Sequence, residues 1–357
     1  MPNTEITITS GDDPTPRLIS HKDCHDAHRT LGAHVKPTGE AETQGTVSEA
    51  RSNQITEGIR LNPMARNEAL MGYRHIWLPS VGYALTCVPV GPQQLRKIEK
   101  QAINAFLPKM GFCSKSCRAV IFGSRAYGGY GLTRLSDYQG VNQASLLLQH
   151  IRLHDSIGKM LLIGYAWHQS FCGVGFQILQ DPTPLLPHAS GGWFVTLRNF
   201  LGVSNMSITI PPKLLRTPRL LRRGDVNLMD AFGSLNLKTA QIRLLNYCRL
   251  FLQVETLAEI STADGSRILP QAWQGRAMPS KSTLLWPRQG RPNSWAIWKQ
   301  SLASLFMRDP TTTGPVAPTP LRASSLERLP NDPPSLLEAW APLRGPQRHY
   351  GGTSSVP

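Results

Sequence analysis

The chain has 357 residues, of which 40% are hydrophobic and 17% are charged. This composition is too apolar for a wholly disordered protein, and the length allows one sizeable core or two to three modest domains. The net charge of +15 attracts polyanions, so nucleic acid is the leading class of partner and an anionic membrane surface the second. A basic protein whose charge serves only solubility is the alternative.

The N-terminal sequence predicts a small β element. The stretch TEITITS alternates polar and β-branched residues and predicts a strand over residues 5–9, and GDDPTP predicts a turn. A second strand-like piece, HRTLGAHVKPTGE, ends in a Pro/Gly turn that includes Gly39, and Gly32 is predicted to form a structural turn within it. We expect the partner strands of this element to be missing from the chain.

A helical pattern begins at about residue 46. Asn62 and Pro63 predict the start of a helix that Pro79 ends. The next helix is predicted between Pro92 and Pro108. Its apolar stripe consists of Leu95, Ile98, Ala102 and Phe106. Further helices are predicted over residues 141–153, 156–167 and 193–202, and from about residue 237.

These elements predict a mainly α fold with a small N-terminal β element, in the α+β class. We predict four segments: a β element over 1–45, a helical domain over 46–180, a helical C-terminal extension over 181–305 and a disordered tail over 306–357. The tail is assigned from its content of Pro, Ser, Thr and Gly.

Membrane insertion and secretion are not predicted. The most apolar stretch, MLLIGYAWHQSFCGVGF, is interrupted by His168 and Gln169 before the roughly 20 residues that a span needs. The N-terminus has neither the basic nor the apolar region of a signal peptide. The six cysteines have no regular spacing, which is typical of reduced thiols. We therefore expect an intracellular protein, with nucleus or cytoplasm left open.

The stretch RAVIFGSRAYGGYGLTRL invites comparison with a phosphate-binding loop, because it places four glycines within nine residues. A P-loop needs a lysine and a hydroxyl after its second glycine, and Gly129 and Tyr130 stand there instead. We predict a structural turn after a strand-like run, with no bound nucleotide. The glycines of this turn are Gly123, Gly128, Gly129 and Gly131.

Two motifs resemble metal sites, and we predict metal at neither. HKDCHDAH offers His21, Cys24, His25 and His28, but the second ligand pair of a closed zinc site would have to come from Cys113 and Cys117, an uncommon spacing. GDD at residues 11–13 has too few residues before it to supply the further carboxylate of a two-metal site. No catalytic Ser-His-Asp or Cys-His arrangement is readable from spacing, and we assign no catalytic residue.

Basic residues predict contact with nucleic acid, since diffuse charge binds phosphates and interleaved aromatic residues stack on bases. A solvated helix face is the alternative for some of them. The first cluster falls within forty residues and consists of Arg96, Lys97, Lys100, Lys109, Lys115, Arg118, Arg125 and Arg134. The second, in KLLRTPRLLRRGD, consists of Arg216, Arg219, Arg222 and Arg223.

In order and spacing, these segments resemble the part of a non-LTR-type retroelement reverse transcriptase that follows the catalytic palm. HRTLGAHVKPTG resembles the strand and turn near the primer-gripping hairpin, and EALMGYRHIWLPSVGYAL the segment that opens the thumb. LPKMGF, RAVIFG and YGGYGLTRL resemble a block that follows it. LMD, NYCRLFLQVETLAEISTADGSRI and WPRQGRPNSWAIWKQ resemble the C-terminal extension. The resemblance covers roughly residues 5–305.

The resemblance implies a thumb-like helical region that holds an RNA template or an RNA/DNA duplex, with Arg29 and Lys36 near the grip strand. The palm's [FY]-x-D-D carboxylates are absent, so the expected function is that of a truncated remnant without RNA-directed DNA polymerase activity of its own. No cofactor is expected, because Mg²⁺ would belong to the missing palm. The alternatives are a cellular basic RNA-binding or scaffold protein, and an accessory subunit of a polymerase whose palm is on another chain. Protein partners are unknown.

Overall fold

The structure, a computed structural model, describes both backbone and side chains for residues 23–113, 115–189, 191–211, 220, 225–262, 267–276 and 293–305. For residues 6–10, 13–19, 307–308 and 315–316 it describes strand pairing alone. The basic cluster with Arg216, Arg219, Arg222 and Arg223 lies outside the described residues. So does the predicted disordered tail, apart from two short strands.

The described part of the chain is mainly helical with a small N-terminal β element, which confirms the predicted fold class. The helices, numbered in chain order, are α1 Glu42–Leu61, α2 Arg66–Met71, α3 Leu78–Gly82, α4 Pro92–Lys109, α5 Arg118–Phe122, α6 Leu135–Leu153, α7 Ser156–Cys172, α8 Trp193–Val203, α9 Leu228–Gly233, α10 Thr239–Leu252, α11 Pro270–Gln274 and α12 Ser294–Leu305. The strands are β1 Ile6–Ser10, β2 Asp13–Ile19, β3 His28–Thr30, β4 Ala33–Val35, β5 Met307–Arg308 and β6 Pro315–Val316.

The strands pair as three antiparallel hairpins: β1 with β2, β3 with β4, and β5 with β6. The predicted strand over residues 5–9 corresponds to β1, and its partner β2 was not predicted. Residues 13–16, predicted as part of a turn, belong to β2. HRTLGAHV forms two short strands instead of one, because Leu31 and Gly32 both have a positive φ, of 48° and 87°. Two consecutive positive φ angles give the tight turn that suits a two-residue hairpin.

The chain forms two compact units. Unit 1 comprises Met1–Leu153 and Gly191–Ser204, and unit 2 comprises His154–Ser190 and Asn205–Pro357. The four-segment domain organisation stays a prediction.

The core of unit 1 forms around α4. Its predicted stripe of Leu95, Ile98, Ala102 and Phe106 is buried, as the 3.6-residue period requires. The Phe106 ring stands edge-on to Tyr73, with 5.4 Å between centroids, and Tyr73 stacks on Trp77 at 4.8 Å. Trp77 donates from its indole nitrogen to Ser52 Oγ in α1 over 2.8 Å, so the polar edge of this buried ring is satisfied.

The helix predicted from Asn62 to Pro79 begins and ends later in the structure than in the prediction. Asn62 follows α1 as its C-cap, and its amide donates to the carbonyl of Gly58. Helical structure begins again only at Arg66 and passes through Pro79 to Gly82. Gly72–Trp77 is a π-helical stretch that directly precedes α3. A proline removes one amide donor and crowds the preceding turn of a regular α-helix. We attribute the continuation of the helix through Pro79 to the wider turn of the π-helical stretch before it.

Unit 2 contains a buried polar cluster. Arg249 of α10 is fully buried, and its guanidinium donates to the carbonyl oxygens of Ser170 and Phe171 at the end of α7, at 2.7 and 2.8 Å. It also donates to Val254 O and Asn246 Oδ1. Burial lowers the pKa of Arg249 to about 10, which leaves it charged at neutral pH. No helix among the described residues is long and apolar enough to span a membrane.

Candidate nucleic-acid interface

Positive charge is concentrated between α2 and the start of α6, in unit 1. Residues 66–134 carry ten Lys and Arg residues and two acidic residues, Glu68 and Glu99. Such an excess sets up a positive potential that attracts phosphate groups. Whether these charges share one surface depends on the positions of the helices and loops that carry them.

The exposed face of α4 carries three of the predicted contact residues. Arg96, Lys97 and Lys100 are exposed, whereas the apolar stripe on the other side of the helix is buried. Residues three and four positions apart lie on one side of a helix, so Lys100 is adjacent to both Arg96 and Lys97. Lys97 Nζ lies 2.8 Å from Glu49 Oε1 of α1, which neutralises part of its charge. The face therefore offers two cations, Arg96 and Lys100, and a third that is paired.

Other predicted contact residues are more dispersed. Lys36 pairs with Glu40 at 3.1 Å, and Lys109 Nζ donates to the carbonyl oxygen of Asn62 at 2.9 Å. Arg29 is exposed in β3, and Lys115 is exposed between α4 and α5. No described contact joins these four residues to the α4 face.

The glycine segment, residues 123–132, folds back onto α5. The preceding run RAVIF forms the one-turn helix α5, so the predicted strand-like run is wrong; five residues are too few for periodicity to separate a strand from a helix. The amides of Tyr130 and Leu132 donate to the carbonyls of Val120 and Ile121 in α5, at 2.8 and 3.0 Å. Tyr130 also packs edge-on against Phe112, with 4.6 Å between ring centroids.

The backbone amides of residues 126–132 in the glycine segment are occupied. Ala126 donates to Ser124 Oγ, and the amides from Tyr127 to Leu132 all donate to carbonyl oxygens of residues 120–125. A phosphate-binding loop needs free amides that point at the ligand. This arrangement fits the predicted structural turn.

Two of the glycines are explained by this backbone packing. A Cβ on Gly129 would lie 2.2 Å from the carbonyl oxygen of Gly123, so a side chain there would displace the backbone. Gly131 has a φ of 73°, in the left-handed region that side chains disfavour. Glycine at both positions therefore permits the backbone conformation of this segment.

Arginines surround the glycine segment. Arg74 Nη2 donates to Gly131 O at 2.8 Å, and Arg125 Nε donates to the adjacent Tyr130 O at 3.3 Å. The Arg134 guanidinium lies 4.9 Å from the centre of the Phe122 ring, a cation–π contact. Arg74 was not predicted as a contact residue, because its approach to the segment depends on tertiary packing across 57 positions in the chain.

Glu99 connects the α4 face to these arginines. Burial and the negative charge of Asp137 raise its pKa to about 7, although Arg134, the Leu135 amide and Arg118 favour the charged carboxylate. Arg134 and Arg118 therefore lie near the side of α4 that also carries Arg96. We define the basic surface as Arg74, Arg96, Lys100, Arg118, Arg125 and Arg134.

Tyr127 is the most exposed aromatic residue of the described side chains. Its relative exposure is 93%, and it ends a 3₁₀ turn that begins at Arg125. Sequence reasoning noted aromatic residues among the basic ones but could not tell exposed rings from buried ones such as Tyr73.

The predicted polar loop near the N-terminus brings three possible metal ligands together. The ligand atoms of Asp23, Cys24 and His25 lie within 4.8 Å of one another, and all three residues are exposed. Asp23 Oδ1 accepts the amide of His25 at 2.8 Å. Desolvation and the adjacent Asp23 raise the pKa of the Cys24 thiol, which disfavours the thiolate that a metal needs. Within the described residues, Cys113, Cys117 and His28 do not join this group, and His21 lies outside them.

Comparisons with known proteins find no match among family models, curated proteins or solved structures.

Proposed function

We propose that this chain binds nucleic acid through the basic surface of unit 1. The observation that carries the proposal is the excess of ten cations over two acids in residues 66–134, together with the placement of Arg96 and Lys100 on an exposed helix face next to the arginines around the glycine segment. Guanidinium groups bind phosphate with several donors at once, which favours arginine-rich surfaces at nucleic acid.

The resemblance to the post-palm part of a retroelement reverse transcriptase supplies the ligand class: an RNA template or a template–primer duplex. The proposed role of this chain is to bind that ligand. The DNA ahead of the Met1 codon tests this origin. A palm with the [FY]-x-D-D motif in frame would support it, and its absence would favour the cellular RNA-binding alternative.

Binding through the basic surface is tested with the double variant Arg96→Gln/Lys100→Gln and fluorescence anisotropy on a labelled RNA/DNA duplex. Loss of two phosphate contacts is expected to weaken binding about tenfold or more at moderate salt, and to reduce the slope of log K against log salt by about 2. Lys97 is left unchanged because Glu49 already pairs with it.

The matched control is Arg51→Gln/Arg152→Gln, which removes the same charge from other exposed positions. Arg51 lies on α1, and Arg152 lies in the last turn of α6, about 25 Å along the helix from Leu135. The control is expected to bind within about twofold of the unaltered chain. Equal losses in both double variants would show that net charge, and not this surface, determines binding.

A further inference from the structure

The exposed ring of Tyr127 is not explained by packing within the described part of unit 1. Tyr73, Trp77 and Phe106 are fully buried in its core, whereas Tyr127 is 93% exposed. Burial of an aromatic side chain stabilises a fold, and at 93% exposure Tyr127 contributes almost nothing in this way. A ring held in water has its faces free for a ligand with a flat apolar surface.

The backbone beneath the ring is firmly held. Ser124 Oγ accepts the Ala126 amide at 3.2 Å, and Ser124 O accepts the amides of Tyr127 and Gly129 at 3.0 and 2.9 Å. These bonds fix the 3₁₀ turn that presents Tyr127. A backbone that is already fixed loses little conformational entropy when a ligand stacks on the ring that it carries.

The positive charge of the stretch of chain that carries the ring favours an anionic ligand. Residues 118–134 include Arg118, Arg125 and Arg134 and no acidic residue. Arg125 lies two positions before Tyr127, and its Nε donates a hydrogen bond to Tyr130 O. A ligand with a flat ring joined to phosphate matches this combination, and a nucleotide unit of a polynucleotide has both parts.

We propose that Tyr127 stacks on an unpaired nucleobase while Arg125 contacts a neighbouring phosphate, so that the glycine segment binds single-stranded nucleic acid. The inference rests on the proposed nucleic-acid binding and adds the strandedness of the ligand. Bases in the interior of a duplex have both faces covered by their neighbours and only the terminal pairs leave a face open, whereas every unpaired base can offer a face to Tyr127. The α4 face contacts the phosphates of both single-stranded and duplex nucleic acid.

The test compares Tyr127→Ala with the unaltered chain on two labelled ligands, a 12-nucleotide single strand and a blunt duplex of the same sequence. Loss of one stacked base is expected to weaken binding of the single strand by about 5- to 150-fold. Binding of the duplex is expected to change less than twofold. Tyr127→Phe keeps the stacking ring and is expected to bind the single strand within about twofold of the unaltered chain.

Tyr83→Ala is the matched control, because Tyr83 is another exposed tyrosine of unit 1, at 62% exposure, outside the glycine segment. It is expected to leave both affinities unchanged. Retained single-strand binding in Tyr127→Ala, or equal losses on both ligands, would overturn the inference while leaving nucleic-acid binding in place. If the unaltered chain bound neither ligand, the proposed function itself would fail.

Discussion

Glu99 is a partly buried carboxyl group near Arg134, Arg118 and Asp137, and its pKa is raised to about 7. Desolvation is the largest cause of its raised pKa, and it outweighs Arg134, Arg118 and the Leu135 amide. At neutral pH the group is therefore about half charged. Because it adjoins the basic surface, its ionisation changes the charge that this surface presents.

We predict that Glu99→Gln stabilises the chain at high pH and not at low pH. The pKa of Glu99 is about 7 in the folded chain and 4.5 ordinarily, so the folded state binds the proton more tightly between these values. Stability is therefore lost as pH rises from about 4.5 to 7, and glutamine removes this loss. Thermal unfolding followed by circular dichroism is expected to give a higher Tm for the variant at pH 8, with the difference shrinking toward pH 5.

The control is Glu57→Gln, which changes an exposed carboxylate of α1. It is expected to show no such pH dependence relative to the unaltered chain. If the Tm difference for Glu99→Gln were the same at pH 5 and pH 8, the proposed burial of the carboxyl group would be wrong.

Among the helices, α6 and α8 approach closely at a glycine. A Cβ added to Gly140 of α6 would lie 2.0 Å from Cγ of Phe200 in α8, both in unit 1. The Phe200 ring therefore packs directly on the backbone of α6. Gly58 of α1 offers a contrast, because nothing lies within 4 Å of its added Cβ.

We predict opposite effects from alanine at these two glycines. Gly140→Ala should lower the free energy of unfolding by about 1–3 kcal/mol, because the ring must move. Gly58→Ala should raise it by about 0.5–1 kcal/mol, because alanine has the higher helix propensity and no contact is lost. Urea denaturation of both variants measures the difference, and a similar sign for the two would contradict the α6–α8 packing.

Periodic elements could be predicted from the sequence, and contacts between distant positions could not. The α4 stripe of Leu95, Ile98, Ala102 and Phe106 is visible because the 3.6-residue repeat persists over three turns. The α5 run is a single turn and has too few residues to show a repeat. The π-helical stretch before Pro79 has no comparable periodic signal, so the sequence predicted an end where the helix continues.

In the candidate site, too, local sequence features could be predicted and contacts between distant residues could not. The excess of basic residues is a property of composition and was visible at once. The approach of Arg134 and Arg118 to Glu99 results from packing between α4 and the segments after it, at separations of 35 and 19 positions. The exposure of Tyr127 depends on how the glycine segment folds back, which no local pattern encodes.

At the scale of the whole molecule, the described charge is unevenly divided. Among described side chains, unit 1 carries 16 Lys and Arg residues against nine Asp and Glu, and unit 2 carries seven against six. Long-range attraction of a polyanion by the described residues therefore acts mainly through unit 1.

We predict a steep salt dependence for the intact chain on a primer–template duplex. If the six residues of the basic surface contact phosphates, log K should fall against log salt with a slope of about −5, which is roughly a thousandfold loss between 50 and 200 mM. Anisotropy titrations across this range measure the slope. A flat response would contradict binding by phosphate contact.

The buried Arg249 links the final turn of α7 to the final turn of α10. Its donors reach Ser170 and Phe171 on one side and Val254 on the other, and Gly173 leaves room for the guanidinium, since an added Cβ would lie 2.6 Å from Arg249 Cζ. If either helix end frayed, this cation would lose acceptors in a dry environment, at a cost of several kcal/mol. The two ends should therefore open together, as one cooperative unit in native-state hydrogen exchange.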